Sequence, residues 1–196
     1  MAAPKEITVE NLTGEYVLDK SLSDSMDELF ALQGIPWMVR KAMGLGTPNL
    51  SIKEYVDESD TTHIDIVLVA TAGIKGEDKR VLDWNKVAKK DGMFGDVEGQ
   101  SRLYTMFEMA GSEDEGDEKF LSGKILADGN PSSWLEDITG KHVQSYVVSQ
   151  KNEWTAEQTW GFEEIRAVRY HTRRIVVRKG NVSKRARQVY AHKSVS

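Results

Sequence analysis

Four β-strand patterns follow one another in HVQSYVVSQKNEWTAEQTWGFEEIRAVRYHTRRIVVRKGNVSKRARQVYA, residues 142–191. Each pattern is rich in β-branched and aromatic residues, which favour strands. We assign these strands to His142–Gln150, Glu153–Ile165, Arg169–Arg178 and Lys184–Ala191. The connections are short and polar, and Gly180-Asn181 marks the last hairpin turn. Short strands at such regular spacing predict an antiparallel sandwich or barrel.

The chain before this stretch extends the β pattern almost to its beginning. Further strands are predicted at residues 11–18, 49–56, 63–71, 80–84, 87–98, 101–109 and 119–127. An acidic segment at 111–118 is predicted to be an exposed loop, and 128–140 a longer loop. With about ten strands, a twisted antiparallel sheet tends to close on itself, because closure removes its exposed edges. The predicted fold is therefore an all-β, up-and-down antiparallel barrel.

All predicted helix lies between the first two strands. Ser23 is a suitable N-cap for a first helix, and Gly34 is suited to end it. A second short helix is predicted from Pro36 to Leu45, because proline fits a first helical turn. The pattern predicts a helix-turn-helix lid after the first strand.

The 196 residues are enough for one domain with a substantial core. We assign residues 1–9 to a flexible tail and residues 10–192 to the barrel domain. The absence of cysteine excludes disulfides, thiolate metal sites and cysteine nucleophiles. No stretch of about 18 apolar residues is present, and residues 1–6 lack a signal-peptide pattern. We therefore expect a cytoplasmic protein without stable membrane insertion.

The charge of the chain is unevenly distributed. Its net value is −5, yet residues 166–196 contain ten Lys or Arg and no Asp or Glu. Such a basic segment is typical either of a surface that binds an anionic partner or of strands whose charges face acidic neighbours across a sheet. A nucleic-acid surface is disfavoured, because few aromatic residues lie among the arginines and the remaining chain is acidic. No nucleic-acid partner is expected, and the oligomeric state is left open.

Residues 12–56 resemble the opening of the intracellular fatty-acid-binding proteins, which belong to the calycin superfamily. Thr13-Gly14-Glu15-Tyr16-Val17-Leu18 is similar to the first strand of that family, and Asp24–Arg40 is similar to its helical lid. Residues 154–163 also resemble a group of uncharacterised fungal lipocalin-like proteins. The resemblance implies a calycin-like barrel with a small, largely apolar ligand inside it.

The resemblance also suggests where such a ligand would be held. The family clamps a carboxylate with Arg-x-Tyr near the C-terminus, and Tyr190 matches the tyrosine. Gln188 stands in place of the arginine, and a side chain at Arg187 points to the opposite face of a strand. Glutamine offers both a donor and an acceptor, so Gln188 favours a neutral carbonyl or hydroxyl group.

Residues 154–162 have two unlike faces. The aromatic face contains Trp154, Ala156, Gln158, Trp160 and Phe162, and the other face contains Glu157 between small hydroxyl residues. If the polar face points inward, Glu157 becomes a buried acid or base with a raised pKa. If the aromatic face points inward, Glu157 faces water, and Gln158 and Trp160 are candidates for ligand contact.

Other candidate site residues lie on the next strand and on the lid. Arg173 and His171 share one face of residues 169–178, where Arg173 is a candidate anion partner and His171 a candidate proton shuttle. Both are alternatively surface residues of a charged strand. Trp37 and Met38 on the second helix are candidates for a ligand portal.

Two functional hypotheses follow. The first is an intracellular carrier of a small apolar metabolite. The second is a cofactor-independent isomerase, cyclase or dehydratase of a polyketide- or terpenoid-like substrate, with Glu157 and His171 as acid–base groups. No phosphate-binding, nucleophile-elbow or metal-binding motif occurs in the sequence, so no cofactor or metal is expected.

Overall fold

Ten antiparallel strands form one curled sheet in the computed structural model, which describes residues 1–71, 73–111, 114–136 and 139–193. The first five strands are β1 Gly14–Leu18, β2 Pro48–Val56, β3 Thr62–Ala70, β4 Lys75–Val81 and β5 Val87–Asp91. The last five are β6 Gly95–Tyr104, β7 His142–Ser149, β8 Trp154–Ile165, β9 Val168–Lys179 and β10 Val182–Lys193. The helices are α1 Asp27–Leu32, α2 Trp37–Leu45 and α3 Glu115–Leu121. The predicted ten-stranded antiparallel architecture with a helical pair after β1 is confirmed.

The strands lie in the order β4-β3-β2-β1-β10-β9-β8-β7-β6-β5, so the first strand pairs with the last. Within the described strands, β4 and β5 share no ladder. The sheet is joined near this gap by a single bridge between Asp83 and Arg102, beside which the Trp84 amide donates to the Ser101 carbonyl at 2.8 Å. The two edges of the curled sheet therefore meet near this bridge, while β4 and β5 themselves form no ladder.

Strands β7 to β9 and the middle of β10 are buried on both faces. Their inward side chains form the core with β1 to β3, and outward ones are covered by the described residues of the segment 105–136. In an ordinary barrel the outward face meets water, which is why the sequence predicts alternation of buried and exposed residues. Here the covering segment turns the outer wall of these four strands into a second buried layer.

The covering segment contains the main departures from the predicted elements. Residues 119–127 are predicted as a strand, but residues 119–121 belong to α3 and the following residues form turns and one bridge at Ile125. The N-cap of α3, Asp114, accepts a hydrogen bond from the Asp117 amide. The acidic segment 111–118, predicted as an exposed loop, contains a fully buried residue at Asp117, while Ser112 and Glu113 lie outside the described residues. Asp117 pairs with Arg178 and Arg185 of the barrel wall. The prediction failed because only the fold brings these arginines to the acidic segment.

The helical lid is shorter than predicted and is anchored by one apolar side chain. Helix α1 begins at Asp27 with Met26 at the N-cap, because the Ser23 hydroxyl donates to the Asp19 carbonyl at 2.7 Å instead of capping the helix. Leu29 packs among Trp154, Ala156 and other inward residues of the barrel. Helix α2 has no buried residue. The lid therefore closes one end of the barrel mainly through α1.

Residues 1–9, which the sequence assigns to a flexible tail, close the opposite end of the barrel. Ala3 and Val9 are buried in the same core cluster as Trp160 and Tyr190. The Ala3 amide donates to the Arg169 carbonyl at 2.8 Å. The packing partners lie about 165 residues away in sequence, which explains why local composition did not indicate them.

Glu54 lies beneath this N-terminal segment and makes stability depend on pH. Burial raises its pKa to about 7, although the Leu12 amide donates to one carboxylate oxygen at 2.6 Å. The other oxygen has no hydrogen-bond partner among the described residues. Because the folded-state pKa is raised, the protonated form favours folding, and this stability is lost as the pH rises from about 4.5 to 7.

We expect Glu54→Gln to stabilise the protein by about 1–2 kcal/mol above neutral pH, because the amide removes a buried charge. At about pH 4, where Glu54 is already protonated in the folded protein, the two proteins should have the same free energy of unfolding. Urea unfolding at both pH values measures the difference. Glu58→Gln, in an exposed turn, is the matched control. Equal stabilisation at both pH values would contradict the assignment.

Candidate functional site

The candidate site is built on the inward faces of three neighbouring strands. Trp160 of β8, Arg173 of β9 and Gln188 of β10 lie side by side in register. A second row lies one register step toward residues 1–9, which we call the N-terminal plug. It consists of Phe162, His171 and Tyr190. Thus the predicted aromatic face of β8 is the inward one, and it meets the cationic face of β9.

Arg173 is the central charged group of this site. It is only 8% exposed, and its guanidinium carbon lies 3.9 Å from the centre of the Trp160 ring and 5.3 Å from that of Tyr190. Its Nε donates to His171 Nε2 at 3.2 Å, while Nη2 is buried without a hydrogen-bond partner in the described part of the chain. Among the same residues, no carboxylate lies within the 4.0 Å that defines an ion pair. Arg173 is therefore a buried cation with an unused donor.

His171 fixes the orientation of Arg173. Its ring is fully buried and contacts the rings of Tyr16, Phe162 and Tyr190. Nδ1 donates to the Gly161 carbonyl at 3.2 Å, which leaves Nε2 as the acceptor for Arg173. Burial and the adjacent guanidinium hold the pKa of His171 well below its usual value. Because both ring nitrogens are occupied, His171 is placed as a positioning residue and is not proposed as a proton shuttle.

A second arginine approaches the same tryptophan from across the barrel. Arg80 of β4 lies 4.9 Å from the centre of the Trp160 ring. Unlike Arg173, it is ion-paired, with its Nη2 2.7 Å from Asp78, and it also donates to the hydroxyls of Ser101 and Ser145. The Asp78 side chain is 38% exposed although it is on the inward face. The interior therefore reaches solvent at the gap between β4 and β5.

Glu157 lies on the outer face of β8, outside the interior. It is nonetheless fully buried, because residues 105–136 cover that face. Its carboxylate accepts hydrogen bonds from the Ala110 amide at 2.9 Å and from Gln144 at 2.7 Å, and it pairs with Arg178 at 3.4 Å. Neither alternative from the sequence describes it fully, since Glu157 neither points inward nor faces water. We assign it a structural role and do not propose it as an acid or base.

The remaining predicted residues divide between the interior and the surface. Gln158 and Tyr190 are inward, and Gln158 accepts a hydrogen bond from the Trp160 indole at 3.2 Å. Gln188 is inward, but its amide donates to the Asp24 carbonyl at the start of the lid. Trp37 and Met38 are 62% and 76% exposed on α2 and do not line the interior. Arg187 pairs with Glu163 on the outer face, as strand alternation predicts.

Three inward residues were missed from the sequence: Tyr16, Asp78 and Arg80. Tyr16 lies in the predicted first strand, so its alternation with Leu18 was an available signal. Asp78 lies in residues 73–79, which the sequence indicated as a turn, and Arg80 begins the predicted strand 80–84, whereas the structure has one strand, β4, over Lys75–Val81. The signal for β4 is weak, because polar inward residues replace the usual apolar alternation.

Two cavities stand out, and both lie outside the barrel interior. One of about 100 Å³ is lined by Tyr104, Trp134 and His142 among others. The other, a cleft of about 550 Å³, is lined by Ser132, Glu163 and Arg187 among others. Neither includes the inward residues around Arg173. Seating of a substrate beside Arg173 therefore requires displacement of interior side chains or of the lid.

Comparison with known proteins points to fungal enzymes. No family model matches the chain. Probable pericyclase scpY of Mollisia scopiformis is 30% identical over 191 residues, which cover 96% of this chain and 93% of that protein. Pericyclase pydY of an Acremonium species is 30% identical over 192 residues, which cover 97% and 96% of the two chains.

Solved structures with the same fold are calycins of low sequence identity. Apo lipid binding protein 8 of Caenorhabditis elegans has a TM-score of 0.56 at 14% identity and covers 98% of this chain and 99% of its own. Human cRBP IV has a TM-score of 0.52 at 12% identity, with 93% and 98% covered. A Schistosoma mansoni fatty acid binding protein in complex with arachidonic acid has a TM-score of 0.51 at 14% identity, with 93% and 96% covered. These similarities show a shared calycin fold.

Proposed function

Because the chain belongs to the family of fungal proteins that includes pericyclase pydY and probable pericyclase scpY, we propose that it catalyses a pericyclic cyclisation inside the barrel. A pericyclic reaction moves bonding electrons around a ring in one concerted step. It transfers no proton and adds or removes no atom. An enzyme accelerates it by holding a flexible substrate in the folded reactive shape and by stabilising charge that develops on the substrate.

The observation that carries this proposal is the unused donor of Arg173. In the proposed complex, Nη2 donates to an oxygen conjugated with one of the reacting double bonds. Such a charged hydrogen bond withdraws electron density from that bond and is strong in a site that excludes water. The neutral His171 keeps the guanidinium over Trp160, so the donor is oriented before the substrate binds.

The apolar part of the substrate would pack against the aromatic rings around Arg173. Trp160, Tyr190 and Phe162 offer flat faces to conjugated double bonds. Gln158, beside Trp160 and in register with Ser145, adds a polar contact near the gap between β4 and β5. This arrangement supports a polyene substrate with an oxygen function at one end.

The test uses extract of a strain of the source organism that lacks the gene, so that the substrate need not be known beforehand. Purified protein added without cofactor should convert one accumulated compound into another of identical mass with fewer carbon–carbon double bonds. Mass spectrometry and NMR measure both properties. A product that differs by water or hydrogen would contradict the proposal and indicate a dehydratase or redox enzyme.

A carrier is the second candidate, because solved calycins of this fold include proteins titled as lipid or fatty acid binding proteins. In the same experiment a carrier would remove a compound from the extract and release it unchanged on denaturation. Conversion in molar excess over the protein distinguishes the enzyme from the carrier.

A further inference from the structure

The charges that face the barrel interior do not cancel. Among the described inward side chains near Trp160, Arg80 is neutralised by Asp78, and Asp78 is also 3.7 Å from Lys89 of β5. His171 is buried beside a cation and accepts a hydrogen bond from it. Arg80, Lys89 and Arg173 thus share one carboxylate, Asp78, and of the three cations Arg173 is the one without an ion pair among the described residues.

An unpaired buried guanidinium is costly, because it has lost its water and formed no ion pair in exchange. The rings of Trp160 and Tyr190 offset part of this cost through cation–π attraction. They leave Nη2 without an acceptor in the described chain. A neutral carbonyl would satisfy the donor but not the charge, whereas an oxyanion would satisfy both.

Three other buried or half-buried carboxylates of the barrel do not pair with Arg173. Glu157 and Glu163 lie on the outer wall, where each is held by arginines of the same strands. Glu54, which is inward, lies beneath the N-terminal plug and accepts from Leu12. Asp78 attracts Arg173 but forms its ion pairs with Arg80 and Lys89. Within the described chain Arg173 therefore has no ion-pair partner of its own, and a ligand anion would supply one.

We propose that the barrel site takes a substrate with a delocalised oxyanion, a carboxylate or the enolate of a 1,3-dicarbonyl group, that pairs with Arg173. The proposal rests on the proposed function for the claim that a substrate enters the barrel. It adds the substrate class: an apolar polyene chain with an ionised oxygen group at the end that reaches Arg173. The anion fixes the orientation of the chain against Trp160 before the ring closes.

The test compares two fluorescent probes that share the same rings and differ in charge. They are 1-anilinonaphthalene-8-sulfonate, an anion, and N-phenyl-1-naphthylamine, its neutral counterpart. Arg173→Met should weaken binding of the sulfonate by about tenfold or more while the neutral probe binds as before or more tightly. Arg173→Lys, which keeps the charge, should retain most of the preference.

Arg102→Met is the matched control, because Arg102 also stacks on a tryptophan, at 4.3 Å from the Trp84 ring centre, but on the outer face. It should change neither affinity. If Arg173→Met lowered the affinity for both probes equally, or for neither, the oxyanion assignment would be overturned. The claim that a ligand binds inside the barrel would still stand. Failure of the wild-type protein to bind either probe would overturn both this inference and the proposed function.

A competition experiment separates the two sources of the anion. Tetradecanoic acid and 2-dodecylcyclohexane-1,3-dione, each paired with its neutral methyl derivative, compete with the bound sulfonate probe. If the acid displaces the probe more strongly than the dione does, the natural anion is a carboxylate. If the dione displaces it more strongly, the anion is an enolate. Displacement by the methyl derivatives as strong as by the ionised compounds would overturn the proposal.

Discussion

Replacing Asp117 with alanine is expected to lower the free energy of unfolding by about 3–5 kcal/mol. Asp117 of α3 is fully buried and is held by Arg178 at 2.8 Å, by Arg185 at 2.5 Å and by the Ser183 hydroxyl at 2.8 Å. Burial acts to raise its pKa, but the hydrogen bonds from Arg185 and Ser183 and the charge of Arg178 lower it overall. Removing the carboxylate takes away the counter-charge that the two arginines share, and leaves Arg178 with Glu157 at 3.4 Å and Arg185 with Asp114 at 3.2 Å.

The measurement is urea unfolding combined with hydrogen exchange of residues 115–121. Loss of exchange protection should begin in α3, since its attachment to β9 and β10 depends on Asp117. Glu115→Ala is the matched control on the same helix, because Glu115 is exposed and water screens its ion pair with Lys119. Similar losses in the two variants would show that the buried network does not hold the covering segment.

Replacing Arg173 with methionine is expected to stabilise the unliganded protein and to lower its proposed activity strongly. A buried unpaired charge is removed and a flexible apolar side chain takes its place, for an expected gain of about 1–2 kcal/mol. The gain is limited because the cation–π contact with Trp160 and the hydrogen bond to His171 are also lost. The proposed transition-state contact is lost as well, so turnover should fall by about a hundredfold or more.

Unfolding in urea measures the first effect, and conversion of the accumulated compound in the deletion-strain extract measures the second. The opposite sign of the two effects distinguishes a functional arginine from a structural one. If Arg173→Met lowered stability and kept normal turnover, Arg173 would be a packing residue of the wall.

The covering segment also contacts the wall that bears the candidate site through buried polar groups. Arg174 on the outer face of β9 donates to the carbonyls of Phe120 and Ile125 and pairs with Glu163 at 2.8 Å. Glycine is required at Gly161 of β8, because a Cβ atom there would lie 2.7 Å from the Trp134 ring. The wall that bears Trp160 and Arg173 is thus braced from outside by buried ionic and aromatic contacts. Such bracing favours a rigid donor, which electrostatic catalysis requires.

The sequence alone determined the strand pattern of residues 142–191, the helical pair after β1 and the resemblance to calycins. These features are local: alternation, turn residues and helix-ending glycines act within a few neighbours. It also determined that His171 and Arg173 share a face and that Arg187 lies opposite Gln188, because strand side chains alternate with a period of two.

Tertiary structure decided which of those faces is inside. Strand β9 has arginines on both faces, at Arg173 inward and at Arg174 and Arg178 outward, so its composition does not distinguish them. The outward arginines are paired with carboxylates, Glu163 and Asp117, whose positions depend on chain segments 11 to 61 residues away. Arg173 received no such partner. A buried charge is balanced by whatever the fold brings to it, and that pairing is a property of long-range packing rather than of local sequence.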